Sequence, residues 1–372
     1  MQTTSASPPT AHSAAAAVIR DKGGPFLIER ITLEAPRPDE VLVRLAGTGL
    51  CHTDLLSRDG VLPPAPPVVL GHEGSGVVEA VGAAVAGLEP GDHVVLAPAH
   101  CGTCRMCLTG HPMHCVAFPP LNLRGRRRDG STAYRDGDGR ELHAHYFGQS
   151  SLATHAVVQA RGVVRVDRDA PLELLGPLGC GFQTGAGTVL EALRPPPGSS
   201  IAVFGAGAVG LAAVMAARIA GCTRIIAVDL HPHRLDLARE LGATDVVPAE
   251  KAAAIGAETG GVDFAVDAVG LPETLRAAVG ALAMGGTAAL VGSAGTGREV
   301  SLGMVGLMGR TVKGVLEGDV VPALFIPRLL ELHRAGLFPF DRLIRTYPFA
   351  DVEQAADDAE KGRTVKPVLV HG

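Results

Sequence analysis

Tryptophan is absent from this 372-residue chain, tyrosine occurs three times, and aromatic residues make up only 3%. Core material is still ample, because 47% of residues are hydrophobic and 19% charged, and the length is enough for two domains. Excess positive charge is also missing. A formal charge of −5 gives nucleic acid no footing, and the one basic run, Arg124-Gly125-Arg126-Arg127-Arg128, reads as a solvated loop. There is no even set of cysteines. Seven of them, Cys222 included, do not make a disulfide scaffold and fit a reducing cytoplasm with metal-bound thiolates. Residues 1–17 have neither a basic start nor a sustained apolar stretch, so they read as a flexible tail rather than a leader. The longest uncharged apolar run, Ile201 to Ala217, is marginal for a membrane span of about 20 residues, and its glycines belong to another pattern. No membrane partner is expected.

Against these absences stands a dense window of metal-binding side chains. Cys101, Cys104, Cys107 and Cys115 follow the spacing C-x2-C-x2-C-x7-C. Four thiolates on one short lobe surround a tetrahedral zinc and leave no vacancy, which is the pattern of a structural site. Cys51 opens Cys51-His52-Thr53-Asp54, and His72 lies in Gly71-His72-Glu73. These two supply only part of a second site. Cys180, in Gly179-Cys180-Gly181, is the evident third ligand, and three protein ligands with one open position are the pattern of a catalytic zinc. Two zinc ions per chain are expected.

The opening half is rich in glycine and in short apolar stretches. Val18 to Ile31 reads as a hairpin, and Glu40 to Leu45 alternates as a half-buried strand ending just before Cys51. Residues 116–150 carry no clear period and read as a long irregular loop. Near residue 182 the character changes. Ser200–Phe204, Arg224–Val228, Asp263–Asp267, Ala288–Gly292 and Thr311–Val315 are short apolar runs separated by helical patterns. Such alternation builds a doubly wound parallel sheet. Val352–Lys361 reads as a helix and Pro367–Val370 as a closing strand that returns to the first domain.

Directly after the first of these runs comes Gly205-Ala206-Gly207-Ala208-Val209-Gly210, with Asp229 ending the next run. Between strand and helix this is a dinucleotide fingerprint. Gly205 permits the turn, Gly207 lets backbone approach the pyrophosphate, and Gly210 packs helix on strand. Asp229 is placed to accept the adenosine ribose 2′-hydroxyl and to repel a 2′-phosphate, which favours NAD over NADP.

Taken together, the four-cysteine lobe, Gly71-His72-Glu73, Gly179-Cys180-Gly181 and the fingerprint resemble the zinc-containing medium-chain alcohol dehydrogenases from about residue 15 onward. The strings Gly49-Leu50-Cys51-His52-Thr53-Asp54, Leu174 to Gly181, Phe147-Gly148-Gln149-Ser150-Ser151 and Glu317-Gly318-Asp319 are most similar to aryl-alcohol (benzyl alcohol) dehydrogenases. The resemblance implies an α/β protein: a GroES-like, β-rich catalytic domain from residues 18–181 and 317–372, with a Rossmann domain at 182–316 inserted. It implies a homodimer or homotetramer, and NAD-dependent, reversible oxidation of a primary alcohol to an aldehyde. It places Cys51, His72 and Cys180 on the catalytic zinc, with Glu73 close by, Asp54 orienting His72 and Thr53 beside the reacting oxygen. Thr184, Arg234 and Lys366 fall at cofactor positions. The histidine that carries the proton outward in many relatives is replaced by Leu56. His52 then either takes over that relay or contacts the pyrophosphate. Where relatives often carry an aromatic wall of the pocket, this chain has Ala97, a space for a phenyl ring, with Leu62, Tyr146 and Phe147 as candidate lining. Two rival readings stand beside this one: a thiol-dependent formaldehyde dehydrogenase whose Arg124–Arg128 loop holds an acidic adduct, and a non-catalytic NAD-binding protein.

Overall fold

The computed structural model describes residues 11–293, 295 and 297–371. Three sheets organise them. Strands Ser200–Phe204, Arg224–Asp229, Asp245–Pro248, Val262–Asp267, Leu282–Leu290 and Thr311–Gly314 form one six-stranded sheet, and every pair in it is parallel. Ser200–Phe204 sits centrally, with the next two strands stepping out on one side and the last three on the other. This is the doubly wound order of the Rossmann fold. Its central strand and the helix Ala208–Ile219 are almost wholly buried, as expected where both faces of a parallel sheet are covered.

The other two sheets make the β-rich part. Strand Glu40–Gly49 runs through the larger one, pairing antiparallel with Gly74–Val81 and His155–Gln159. Strand Lys366–Val370 from the far end of the chain also pairs with it, so both ends of the sequence build one sheet. The smaller sheet joins Val68–Val69, His12–Ile19, Leu27–Leu33 and Tyr134–Asp136.

Three expectations change here. The hairpin is present, but its first strand begins at His12, so residues 12–17 are not a tail; residues 1–10 lie outside those described. A run of alanines reads poorly as a strand. It is held here because Ala16 and Ala17 are fully buried and small side chains let the sheet pack closely. Residues 116–150 are not featureless: they hold the helix Phe118–Asn122 and the strand Tyr134–Asp136. Nor is the basic run simply solvated. Arg127 is 7% exposed and forks onto Glu40, its Nε and Nη2 donating to the two carboxylate oxygens at 2.7 and 2.8 Å. A third bond goes to Glu34. Only Arg124 and Arg128 of that run remain exposed.

Candidate active site

Cys51 caps the helix His52–Arg58 directly beyond strand Glu40–Gly49, and Asp54 stands at the third helical position. Asp54 is fully buried, so its oxygens must find donors. Its Oδ2 accepts the Cys51 N–H at 3.0 Å, and its Oδ1 accepts the Gly71 N–H at 3.0 Å and faces His72 Nδ1 at 2.9 Å. A proton held on Nδ1 by that carboxylate leaves the Nε2 lone pair directed elsewhere. His72 Nε2 is buried without a hydrogen-bond partner. Donor atoms of Cys51, His72, Glu73 and Cys180 lie within 4.8 Å of one another.

The electrostatics of this cluster call for a cation. A hydrogen bond from Cys180 holds the Cys51 thiol well below its ordinary value, with the charges of Lys366 and His72 assisting. The same contact and burial carry Cys180 well above its own. Burial works against a charged His72, yet Asp54 and Cys51 outweigh it and hold His72 well above the ordinary histidine value. Positive charge is thus favoured at an orphaned imidazole nitrogen beside two sulfurs. A borderline-soft divalent ion answers all three donors, and the set fits zinc.

Glu73, the fourth member of that group, has a partner of its own. Lys366 Nζ donates to both of its oxygens at 2.9 Å, and Gly49 and Gly181 leave room for its carboxylate, since a Cβ at Gly49 would strike Glu73 Oε2. Burial opposes the Lys366 ammonium, but Glu73 and Cys51 hold its pKa above the ordinary lysine value. Lys366 Nζ also lies 3.4 Å from the Leu50 carbonyl.

Residues 145–151 wrap the other side of His72. Phe147 stacks on its ring at 4.6 Å and Tyr146 meets it edge-on at 5.6 Å. Gln149 Oε1 accepts the Gly74 N–H, and its Nε2 donates to the His72 carbonyl, both at 3.0 Å. His145, Phe147 and Ser150 all adopt left-handed backbone. Such residues cost energy and persist only where their surroundings over-determine them, as the bonds onto Gly74, His72 and Val69 do here. Thr53 is half-buried, His52 is exposed, and Leu62 is half-buried. Ala97 instead lines a cavity of about 130 Å3 with Pro98, His100, Pro112 and Val321, on the side of the cysteine lobe.

Glu317 entered the sequence reading only within the string Glu317-Gly318-Asp319, with no role of its own. It is 8% exposed, with left-handed backbone at φ 51°, and Cys180 Sγ lies 3.9 Å from its Oε1. Gln183 Nε2 and Thr184 Oγ1 donate to its other oxygen, each at 3.3 Å. Burial pushes its carboxyl up to about 7.

The four-cysteine lobe closes on itself. Cys101, Cys104, Cys107 and Cys115 bring their sulfurs within 4.8 Å of one another, with separations of 3.9 Å for Cys101–Cys107 and 3.5 Å for Cys104–Cys107. Zinc–sulfur bonds of about 2.3 Å at the tetrahedral angle set sulfurs roughly 3.8 Å apart, whereas a disulfide bond is about 2.05 Å long. N–H groups of Cys104 and Cys101 point at Cys101 Sγ and Cys115 Sγ, each at 3.3 Å. Bonds from backbone N–H groups pull Cys101 down to about 5, toward the thiolate that binds metal.

The glycine turn is built as a cradle. Gly205 has φ 92°, and a Cβ at Gly210 would strike the Gly205 carbonyl, while Gly207 faces open space where the helix begins. Open space before unpaired N–H groups at a helix start is what a pyrophosphate fills. Asp229 ends the next strand. Its Oδ2 accepts the Ala206 N–H at 2.7 Å and its Oδ1 the His231 N–H at 2.8 Å. Each oxygen keeps a further lone pair for a ribose hydroxyl. Arg234 lies two residues into the adjoining helix Pro232–Leu241, its Nε covered and without a partner. The helix Gly181–Gly187, capped by Cys180, packs on the start of helix Ala208–Ile219 so closely that a Cβ at Gly185 would strike the Val209 carbonyl. The cysteine ligand and the cradle are thereby braced against each other, with Thr184 on the connecting helix.

Residues 37–168 match the model for the alcohol dehydrogenase GroES-like domain, and residues 208–332 that for zinc-binding dehydrogenases. Geraniol dehydrogenase of Castellaniella defragrans is 46% identical over 365 residues, 96% of this chain and 98% of that protein. The crystal structure of an alcohol dehydrogenase zinc-binding domain protein from Burkholderia ambifaria is 51% identical and superposes with a TM-score of 0.95, over 97% of this chain and 99% of that one. Benzyl alcohol dehydrogenase from Acinetobacter calcoaceticus is 44% identical with a TM-score of 0.93, over 97% and 100%. With its GroES-like and Rossmann parts, its open donor set and its cysteine lobe, the chain belongs to the zinc-binding alcohol dehydrogenase family.

Proposed function

We propose that the protein oxidises primary alcohols whose carbinol carbon is attached to an sp2 carbon, benzyl-type alcohols foremost, to aldehydes: RCH2OH + NAD+ gives RCHO + NADH + H+, reversibly. The observation that carries this reading is the convergence of Cys51, His72 and Cys180 around one orphaned nitrogen, braced against a dinucleotide cradle through a single helix contact. Bound zinc lowers the pKa of a hydroxyl at its open position and polarises a carbonyl in the reverse direction, while NAD takes up the hydride.

The chain's own groups have the following parts. Asp54 fixes the tautomer of His72, and Lys366 keeps Glu73 from filling the open position. Thr53 takes the substrate proton and exposed His52 delivers it to solvent. Phe147, Tyr146 and Leu62 exclude water. Cys101, Cys104, Cys107 and Cys115 hold the second zinc. Gly205, Gly207, Gly210, Asp229, Arg234 and Thr184 receive NAD. Residues 18–181 with 317–372 form the catalytic domain and 182–316 the cofactor domain. Benzyl alcohol and geraniol both carry the carbinol on an sp2 carbon, which supports the substrate class. The exposed side chains of Met284, Met304, Val305 and Met308 beside the edge strand Thr311–Gly314 support a homo-oligomer, because such apolar edges are normally covered. Seven free cysteines support a reducing, cytoplasmic setting. For the thiol-adduct alternative the anchor narrows to Arg124 and Arg128, because Arg127 and Arg126 are already paired with Glu40 and Glu141.

The substrate class is tested with a panel of alcohols. kcat/KM for benzyl alcohol is expected to exceed that for ethanol by roughly 10- to 200-fold, the discrimination a hydrophobic pocket gives. Equal values count against the assignment. The coenzyme choice rests on Asp229: Asp229→Ser is expected to lower the NAD-to-NADP ratio of kcat/KM by roughly 10- to 100-fold, the worth of a charge-assisted hydrogen bond. His52→Gln is expected to slow hydride transfer most at low pH, where a proton outlet is needed most, and to shift its pH profile; an unmoved profile removes His52 from the relay.

A further inference from the structure

Outside both cysteine-containing sets, a third group of ligating side chains meets on the β-rich part. His12 opens strand His12–Ile19, His155 opens strand His155–Gln159, and Glu79 lies in Gly74–Val81. We propose that His12, Glu79 and His155 form a cation site for a divalent transition metal of the zinc class, which pins the first strand of the chain to the large sheet.

The geometry is that of a ligand set. One donor atom from each residue lies within 4.8 Å of the other two, and the two imidazoles overlap with centroids 4.2 Å apart. His155 Nδ1 is 3.0 Å from Thr154 Oγ1, which also accepts the Ala15 N–H at 3.1 Å. In the tautomer with its proton on Nδ1, donated to Thr154, His155 turns the Nε2 lone pair toward Glu79 Oε2 at 3.4 Å. A cation between the two acceptors satisfies both in that tautomer. Zinc–nitrogen and zinc–oxygen bonds of about 2.0–2.2 Å at the tetrahedral angle put such donors roughly 3.4 Å apart. His12 Nε2 is covered from solvent and has no hydrogen-bond partner, a second sign that this cluster lacks a bonding group. Two imidazoles and one carboxylate suit zinc, nickel or cobalt better than magnesium or calcium.

One charge competes. Arg44 Nε lies 3.3 Å from Glu79 Oε1, but its side chain is half exposed, 53%, and is free to turn to solvent. Its competition gives the proposal a signature that a purely structural ion pair lacks.

The test titrates the dialysed holoenzyme, with its tightly held zinc in place, with Zn2+ by calorimetry and follows thermal unfolding at each addition. One further equivalent is expected, with Tm rising as it binds. His155→Gln and Glu79→Gln each weaken that equivalent by more than the roughly 10- to 100-fold that losing a mere supporting partner costs. Arg44→Gln strengthens it. Zinc that resists dialysis stays the same in all three variants. Absence of the further equivalent, or its persistence unchanged in His155→Gln and Glu79→Gln, overturns the proposal.

Discussion

Replacing His72 by alanine is expected to abolish alcohol oxidation and to remove one of two zinc ions per chain while leaving the other bound. The reasoning starts from Asp54. Its carboxylate orients His72 and also accepts the Cys51 and Gly71 N–H groups, so the helix His52–Arg58 is held whether or not the imidazole is present. What disappears is the buried nitrogen that has no partner in the folded chain. Two thiolates alone do not hold zinc tightly. Activation by a metal stabilises the transition state by several kcal/mol, so the loss in kcat/KM is expected to be roughly 1,000-fold or more. Zinc analysis of the purified variant, read beside its circular dichroism spectrum, checks the outcome. A variant that keeps both ions, or turns over alcohol at the original rate, contradicts it. Cys104→Ala has the converse profile. It is expected to strip the lobe of its ion and unfold it, because a structural zinc contributes folding energy outright.

Lys366→Met is the second large effect, and it concerns stability. Glu73 is fully buried and both of its oxygens bond the Lys366 ammonium. Removing one partner of a buried pair strands the other charge, at a cost of about 3–5 kcal/mol. Replacing both by neutral groups of similar size costs far less, because neither charge then needs solvation. The double variant Glu73→Gln with Lys366→Met is therefore expected to recover most of the stability lost in Lys366→Met, measured as the midpoint of urea unfolding. Equal midpoints for single and double variants count against the pair. A freed Glu73 carboxylate also lies close enough to the ligand cluster to occupy its open position, so the single variant is expected to lose activity beyond what its stability explains.

Local grammar made much of this legible. The cysteine spacing of the lobe, the glycines between strand and helix, and Asp229 at the next strand end each express a short-range requirement: a closed tetrahedron, a tight turn, a ribose acceptor. Five strands of the six-stranded parallel sheet followed from apolar runs and helical patterns, and the edge strand Asp245–Pro248 did not. Other features depended on residues far apart in the chain. Glu317 approaches Cys180 only because the turn at Gly318 packs on the helix Gly181–Gly187. Arg127 looked solvated because nothing near it in sequence signals Glu40, yet folding brings the two together and buries them. The strand His12–Ile19 was hidden by its alanines, whose burial is decided by neighbours in the sheet rather than by their own preference. Residues 145–151 wrap His72 through left-handed backbone at positions without glycine, a geometry no local preference announces. Lys366 pairs with Glu73, a contact that only the meeting of the two chain ends creates.

Anomalous diffraction at the zinc absorption edge, from crystals of the protein dialysed free of loosely bound metal, tests the central claim most directly. Two peaks per chain are expected. One lies among Cys101, Cys104, Cys107 and Cys115, and the other is held by Cys51, His72 and Cys180 with a non-protein fourth ligand. A single peak in the cysteine lobe, or a second ion whose fourth position is permanently filled by Glu73, contradicts the account.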